Sequence, residues 1–130
     1  MTVSGQSPTV DVQSTQRTTV LDRELLDAVP TGRTFFAAVA LVTGVQVSEP
    51  NVGGAKTSIN QRLYVHGAMP KETTTDVDGM RILTLSDDGG DQADHNEGMT
   101  AEITVQTAGL GAEVARGGPH INFIPREGGN

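Results

Sequence analysis

Cysteine and tryptophan are absent from these 130 residues, and the aromatics are three Phe and one Tyr. Without cysteine there is neither a disulfide framework nor a thiolate metal site. Phe35, Phe36, Tyr64 and Phe123 are the whole aromatic complement, so the core the chain can bury is thin for its length. Basic residues are scarce too: 9 Lys and Arg stand against 16 Asp and Glu, a net charge of −7. That balance argues against a nucleic-acid partner, which needs a basic face, and against docking on an anionic membrane surface. No apolar run approaches the roughly 18 residues of a spanning helix; the longest is Phe35 to Val42. The opening Met1 to Gly5 has no basic end and no apolar stretch, so it does not read as a signal peptide.

What is abundant is small and turn-forming: 16 Gly and 6 Pro. Many glycines and few large side chains give weak burial against a large ordering cost. The expectation is a single domain that gains much of its stability from a partner wrapped around it. Residues 1–16 are polar and read as a flexible linker. Thr18 to Leu21 is a short β-branched run, expected as an edge strand. Asp22 is a good N-cap with Glu24 in the first turn, and Leu25, Leu26 and Val29 share a helical face. Pro30-Thr31-Gly32 stops that helix. A second helix is expected over roughly Arg33–Val42, with Phe35, Phe36, Val39 and Ala40 on the core side and Gly44 as a left-handed C-cap. Further on, Gln61–His66 reads as a strand and Asp78-Gly79 as a two-residue hairpin turn. Leu85–Gly98 reads as an acidic loop, and Thr100–Thr107 and His120–Pro125 as the last two strands. The fold class implied is α+β: a small mixed β-sheet with two short helices and long loops.

Four pieces of the sequence occur in a telling order. Leu21-Asp22, Glu24-Leu25-Leu26 and Val29-Pro30-Thr31-Gly32-Arg33 are followed by Ala40-Leu41-Val42-Thr43-Gly44-Val45. Val65-His66-Gly67 comes next, then Val77-Asp78-Gly79. Finally a strand runs into Glu113-Val114-Ala115-Arg116-Gly117-Gly118 and a strand through Ile121 and Phe123. This series resembles the plug domain of TonB-dependent outer-membrane receptors over about residues 17–130. Three departures are visible: the usual proline before Gly44 is missing, His66 stands where the family has Arg, and Val114-Ala115 replaces a Tyr-Gly pair. The resemblance implies a gate with no chemistry of its own and no cofactor, one part of a longer receptor. It would lie in the outer membrane inside its own C-terminal β-barrel. TonB would engage the N-terminal segment, and a transported ligand would reach the outward loops. Thr2 to Gly5 then reads either as the tail of a Ton box or as plain linker.

Within that frame the outward loops are expected at Glu49–Ser58, Ala68–Glu72 and Thr84–Glu97, all at one end of the sheet. They carry Asn51, Lys56, Lys71, Asp87, Asp88, Asp91 and His95 as candidate substrate contacts. Asp87, Asp88, Asp91 and Asp94 leave three readings open: a solvated acidic loop, a ligand-contacting loop or a Ca²⁺ site. Their spacing does not fit an EF-hand, and no metal site is expected. Glu113 and Arg116 are either a surface ion pair or, as the resemblance implies, the residues that dock the domain on the barrel wall. Gly53-Gly54-Ala55-Lys56 lacks the glycine a phosphate loop needs directly before its lysine. Ser58 and Ser86 have no nucleophile-elbow glycines, so no enzyme activity is expected. Two rival readings are a free-standing periplasmic or extracellular binding module and a small Ca²⁺-dependent enzyme.

Overall fold

A computed structural model describes residues 15–48, 62–82, 97–114 and 116–128, apart from the Phe35 side chain. The elements are β1 (Arg17–Leu21), α1 (Arg23–Ala28), α2 (Phe35–Val39), β2 (Val45–Val47) and β3 (Leu63–Val65), then β4 (Thr74–Val77), β5 (Met80–Arg81), β6 (Thr100–Ala108) and β7 (His120–Pro125). Two 3₁₀ turns, Pro70–Glu72 and Glu97–Met99, precede β4 and β6. Five strands form one sheet in the order β1-β6-β7-β4-β5, and β2 pairs with β3 apart from it. β4 and β7 are parallel while the other pairs are antiparallel, so the sheet is mixed as expected. β1 lies at an edge, also as expected.

Strand register sorts the side chains into rows, because neighbours directly opposite point to the same face. One face carries Leu21–Ile103–Phe123–Val77 and Thr19–Val105–Ile121–Thr75. Its apolar members close on Leu26 of α1, on Phe36, Ala38 and Val39 of α2, and on Val42, Val45, Leu63 and Val65. The alternation in β6 and β7 thus does what it foretold: Ile103, Val105, Ile121 and Phe123 are all buried. The other face carries Val20–Thr104–Asn122–Asp76 and Thr18–Gln106–His120–Thr74. It is polar and covered by neither helix.

Local chemistry sets the element ends. The Asp22 carboxylate accepts from the Leu25 amide at 2.8 Å and starts α1. Thr34 caps α2 through the Ala37 amide. Asp78 and Gly79 have φ of 51° and 75°, the left-handed pair that a type I′ hairpin requires. Asn122 holds that turn by accepting from the Gly79 amide at 3.1 Å.

Several expectations are corrected. α2 is shorter than Arg33–Val42, because Arg33 is left-handed at φ 54° and Thr34 is the cap. Its last turn tightens through Leu41 N–H to Ala38 and Val42 N–H to Val39, which turns Ala40 to solvent and buries Ala38 and Val42 instead. Gly44, at φ 89°, serves the Val42–Val45 turn into β2 and does not cap the helix. Leu25 is 39% exposed, since a six-residue helix at the sheet's edge buries only Leu26. The strand expected over Gln61–His66 stops at Val65 because His66 is left-handed at φ 50°.

Candidate functional site

The segment between β6 and β7 makes the corner that the sequence singled out. Gly109 turns the chain off β6 at φ 69°, where a Cβ would stand 2.6 Å from the Gln16 backbone. Val114 N–H then donates to the Gly111 carbonyl at 3.1 Å, and the exposed Glu113 carboxylate folds back over Gly111. The half-buried Arg116 donates from its guanidinium to the Lys71 carbonyl. Gly118 packs on the Glu72 backbone, and Thr74 N–H donates to the Pro119 carbonyl at 2.8 Å. The corner is therefore pinned to the Pro70–Glu72 turn, itself closed by the Met69 amide donating to the Glu72 carboxylate at 2.9 Å. The structure brings Glu113, Arg116 and Lys71 to one end of the sheet. Lys71 contributes its backbone carbonyl there, and its side chain is exposed. Asn51, Lys56, Asp87, Asp88, Asp91 and His95 lie outside the described residues.

Beneath the corner is an open cleft of about 260 Å³ lined by Thr74, Asp76, Arg81, Glu113, Val114 and His120. It sits on the polar sheet face, where the parallel pairing sets Asp76 diagonally from His120. The His120 Nε2 lies 2.8 Å from Asp76 Oδ2, and Arg81 donates to the Thr74 hydroxyl at 2.9 Å. Asp76 Oδ1 is buried without a hydrogen-bond partner among the described residues. The pair links β7 to β4 and the Arg81 contact links β5 to β4 at the rim on which the corner rests. The sequence showed His120 only as a lone strand histidine, because its partner is 44 residues away.

A second polar knot lies at the opposite end of the sheet. Thr74 pairs with His120 at the corner end, while Thr100 pairs with Pro125 at the other. Ala68–Glu72 thus stands at the corner end, where the chain also leaves β5 through the Ile82 amide donating to the Thr75 carbonyl, and Glu97 stands at the other end; the rest of Thr84–Glu97 and Glu49–Ser58 lie outside the described residues. Glu97, expected in a loop, is 3% exposed in a 3₁₀ turn, and its carboxylate accepts from the Thr31 hydroxyl at 2.9 Å. Arg23 pairs with Asp27 and donates to the carbonyls of Glu97 at 3.0 Å and Thr100 at 3.2 Å. The Asp27 hydrogen bond, helped by the charges of Asp27 and Glu97, holds the Arg23 guanidinium above its usual range. The same bond holds the Asp27 carboxyl below the usual carboxylate range.

No protein-family model matches the chain, and no curated protein matches it. Solved structures do. The siderophore receptor PirA from Acinetobacter baumannii matches with a TM-score of 0.65 at 21% identity, over 87% of this chain and 18% of PirA. The outer membrane transporter YddB from Escherichia coli matches with a TM-score of 0.63 at 17% identity, over 85% of this chain and 17% of YddB. The ferric-catecholate import receptor Fiu from E. coli K12, in its open form, matches with a TM-score of 0.60 at 19% identity, over 90% of this chain and 15% of Fiu. At these identities the likeness is one of fold: the chain has the plug-domain fold of TonB-dependent outer-membrane receptors. It spans less than a fifth of each of those proteins, and they are transporters and receptors rather than enzymes.

Proposed function

We propose that this chain is the gate of a TonB-dependent outer-membrane transporter, filling the lumen of a β-barrel of roughly 22 strands. One observation carries the reading: the fold match covers 85% to 90% of the chain while taking up a small share of each larger receptor. The thin core and the polar sheet face that neither helix covers support it, since both suit a domain enclosed by a hydrated wall. Residues 1–16 are the tether that TonB grips from the periplasmic side. A scarce ligand, of the kind the siderophore and ferric-catecholate receptors are named for, meets the outward loops through Asn51, Lys56, Lys71, Asp87, Asp88, Asp91 and His95. Glu113 and Arg116 dock the gate on the barrel wall, and the contact of Arg116 with the Lys71 carbonyl holds that corner in the docking position.

The test uses the full-length receptor with Arg116→Ala. Charge removed from a desolvated docking contact leaves its partner orphaned. The expected result is a channel that admits large antibiotics or a slowed ligand uptake, at normal receptor abundance. A tight channel with normal uptake removes Arg116 from the docking role, and a full-length gene with no barrel strands downstream removes the gating reading.

A further inference from the structure

The knot around Arg23, Thr31 and Glu97 has no part in the docking corner and lies at the other end of the sheet. It joins three stretches of chain that are remote in sequence, residues 23–33, 97–100 and 126. Arg23 follows β1 by two residues, and its guanidinium fork reaches the carbonyls of Glu97 and Thr100 while it pairs with Asp27. Thr31 sits in the corner before α2, where its hydroxyl donates to Glu97 Oε2 at 2.9 Å and accepts from the Arg33 amide at 3.2 Å. Glu97 opens the turn that starts β6, and the Arg126 amide donates to the Met99 carbonyl of that turn at 2.8 Å.

A carboxylate as buried as Glu97 is costly to keep, and an apolar side chain would fill the same space without that cost. What a polar knot offers instead is direction: each contact names one partner in one geometry. Hydrogen bonds need their partners at defined distances and angles, so a displacement of Arg23 breaks several directed contacts together.

We propose that Arg23, Thr31 and Glu97 are positioning residues that make the placement of the Glu97–Thr100 turn conditional on β1 lying against β6. While β1 is paired, Arg23 holds the turn. When β1 leaves, the turn is released. This deepens the gating reading, since it gives a pull on the N-terminal segment a direct route to the start of β6, and it rests on that reading for its use in the cell. Its test does not depend on a barrel, so the two can fail separately.

The chain has no cysteine, and Val20 and Thr104 are register partners across β1 and β6. Val20→Cys with Thr104→Cys therefore gives one unambiguous disulfide, at a spacing antiparallel partners allow. Hydrogen exchange of the Arg126 amide, which reports on the turn, is followed in the oxidised and reduced forms. Oxidation is expected to slow it several-fold. Thr31→Val or Arg23→Gln should speed it about tenfold or more, leave Ile121 and Phe123 protected, and abolish the effect of the disulfide. Thr31→Ser, which keeps the hydroxyl, should restore both behaviours, and Arg23→Lys, a milder loss of the fork, serves if Arg23→Gln does not fold. The proposal is overturned if the disulfide slows the Arg126 amide equally with and without the knot. It is also overturned if the substitutions leave that amide unchanged, or if they speed exchange throughout β7, which would make the knot a general contributor to stability.

Discussion

Gly117 and Gly118 are neighbours in the corner, and replacing each by alanine should have opposite outcomes. A Cβ on Gly118 would stand 2.5 Å from the Glu72 carbonyl oxygen, 2.6 Å from its carbon and 2.8 Å from the Glu72 Cβ. Those atoms are backbone and Cβ, so no side-chain rotation relieves the clash. Glu72 is held on both sides, by its own amide to Met69 and by the Thr73 amide to Pro70. Either the turn shifts or Gly118 does, and each route strains the Thr74–Pro119 hydrogen bond that begins the β4–β7 pairing. Overpacking of this kind costs about 1–3 kcal/mol, and a strained backbone hydrogen bond adds about 1 kcal/mol. Gly118→Ala should therefore destabilise by roughly 2–4 kcal/mol, a fall in Tm on the order of 10 °C for a chain of this size. At Gly117 a Cβ would meet nothing within 4 Å and φ is not left-handed, so Gly117→Ala should be neutral or stabilise by about 0.5 kcal/mol through the unfolded chain. Urea and thermal melts of the two variants decide the matter. Equal effects, or a neutral Gly118→Ala, would refute the close packing of the corner on the Pro70–Glu72 turn.

Two further expectations follow from burial and charge. Ile121→Ala empties a site that is 0% exposed and should cost about 2–5 kcal/mol, while Leu25→Ala, at a helix position 39% exposed, should cost less than about 1 kcal/mol. Comparable losses in urea unfolding would place α1 differently on the sheet. The Arg23 hydrogen bond lowers the Asp27 pKa in the folded chain. That contribution is complete above the ordinary aspartate value and disappears as pH falls through the lower folded value. Stability between pH 5 and 2 should fall less steeply in Asp27→Asn, and an identical acid slope would show the pair to be inert in solution.

The parts of the fold that could be read from sequence are those whose signal is local. Alternation around Ile103 and Val105 and around Ile121 and Phe123 gave two central strands, since period-two burial on one face is written in neighbouring residues. Asp78-Gly79 marked its turn because few residue pairs accept two left-handed conformations. The hairpin turn implied strands on either side, but the parallel pairing of Thr74-Thr75-Asp76-Val77 with β7 escaped, because that partner is more than 40 residues away. The same distance hid the His120–Asp76 contact. Glu97 read as one more acid in an acidic stretch, and only the approach of Thr31, 66 residues off, distinguishes it. Glu113 and Arg116 were legible through family likeness alone. The Arg116 contact to Lys71 was not, because its acceptor is a backbone carbonyl and leaves no mark on the sequence.

The placing of β7 has a consequence for how the chain is made. It is the strand that joins the β4–β5 hairpin to β6 and β1 in the five-stranded sheet, yet it is the last of the described strands in chain order. Until it arrives, β4 has no parallel partner and the core lacks Ile121 and Phe123. Closing such distant pairings is slow, so Leu26, Phe36, Val39 and Val65 are made well before the strand that completes their core. A chaperone that favours short apolar stretches would find its targets between Leu26 and Val65, and would lose them together once residues 120–125 pack against them.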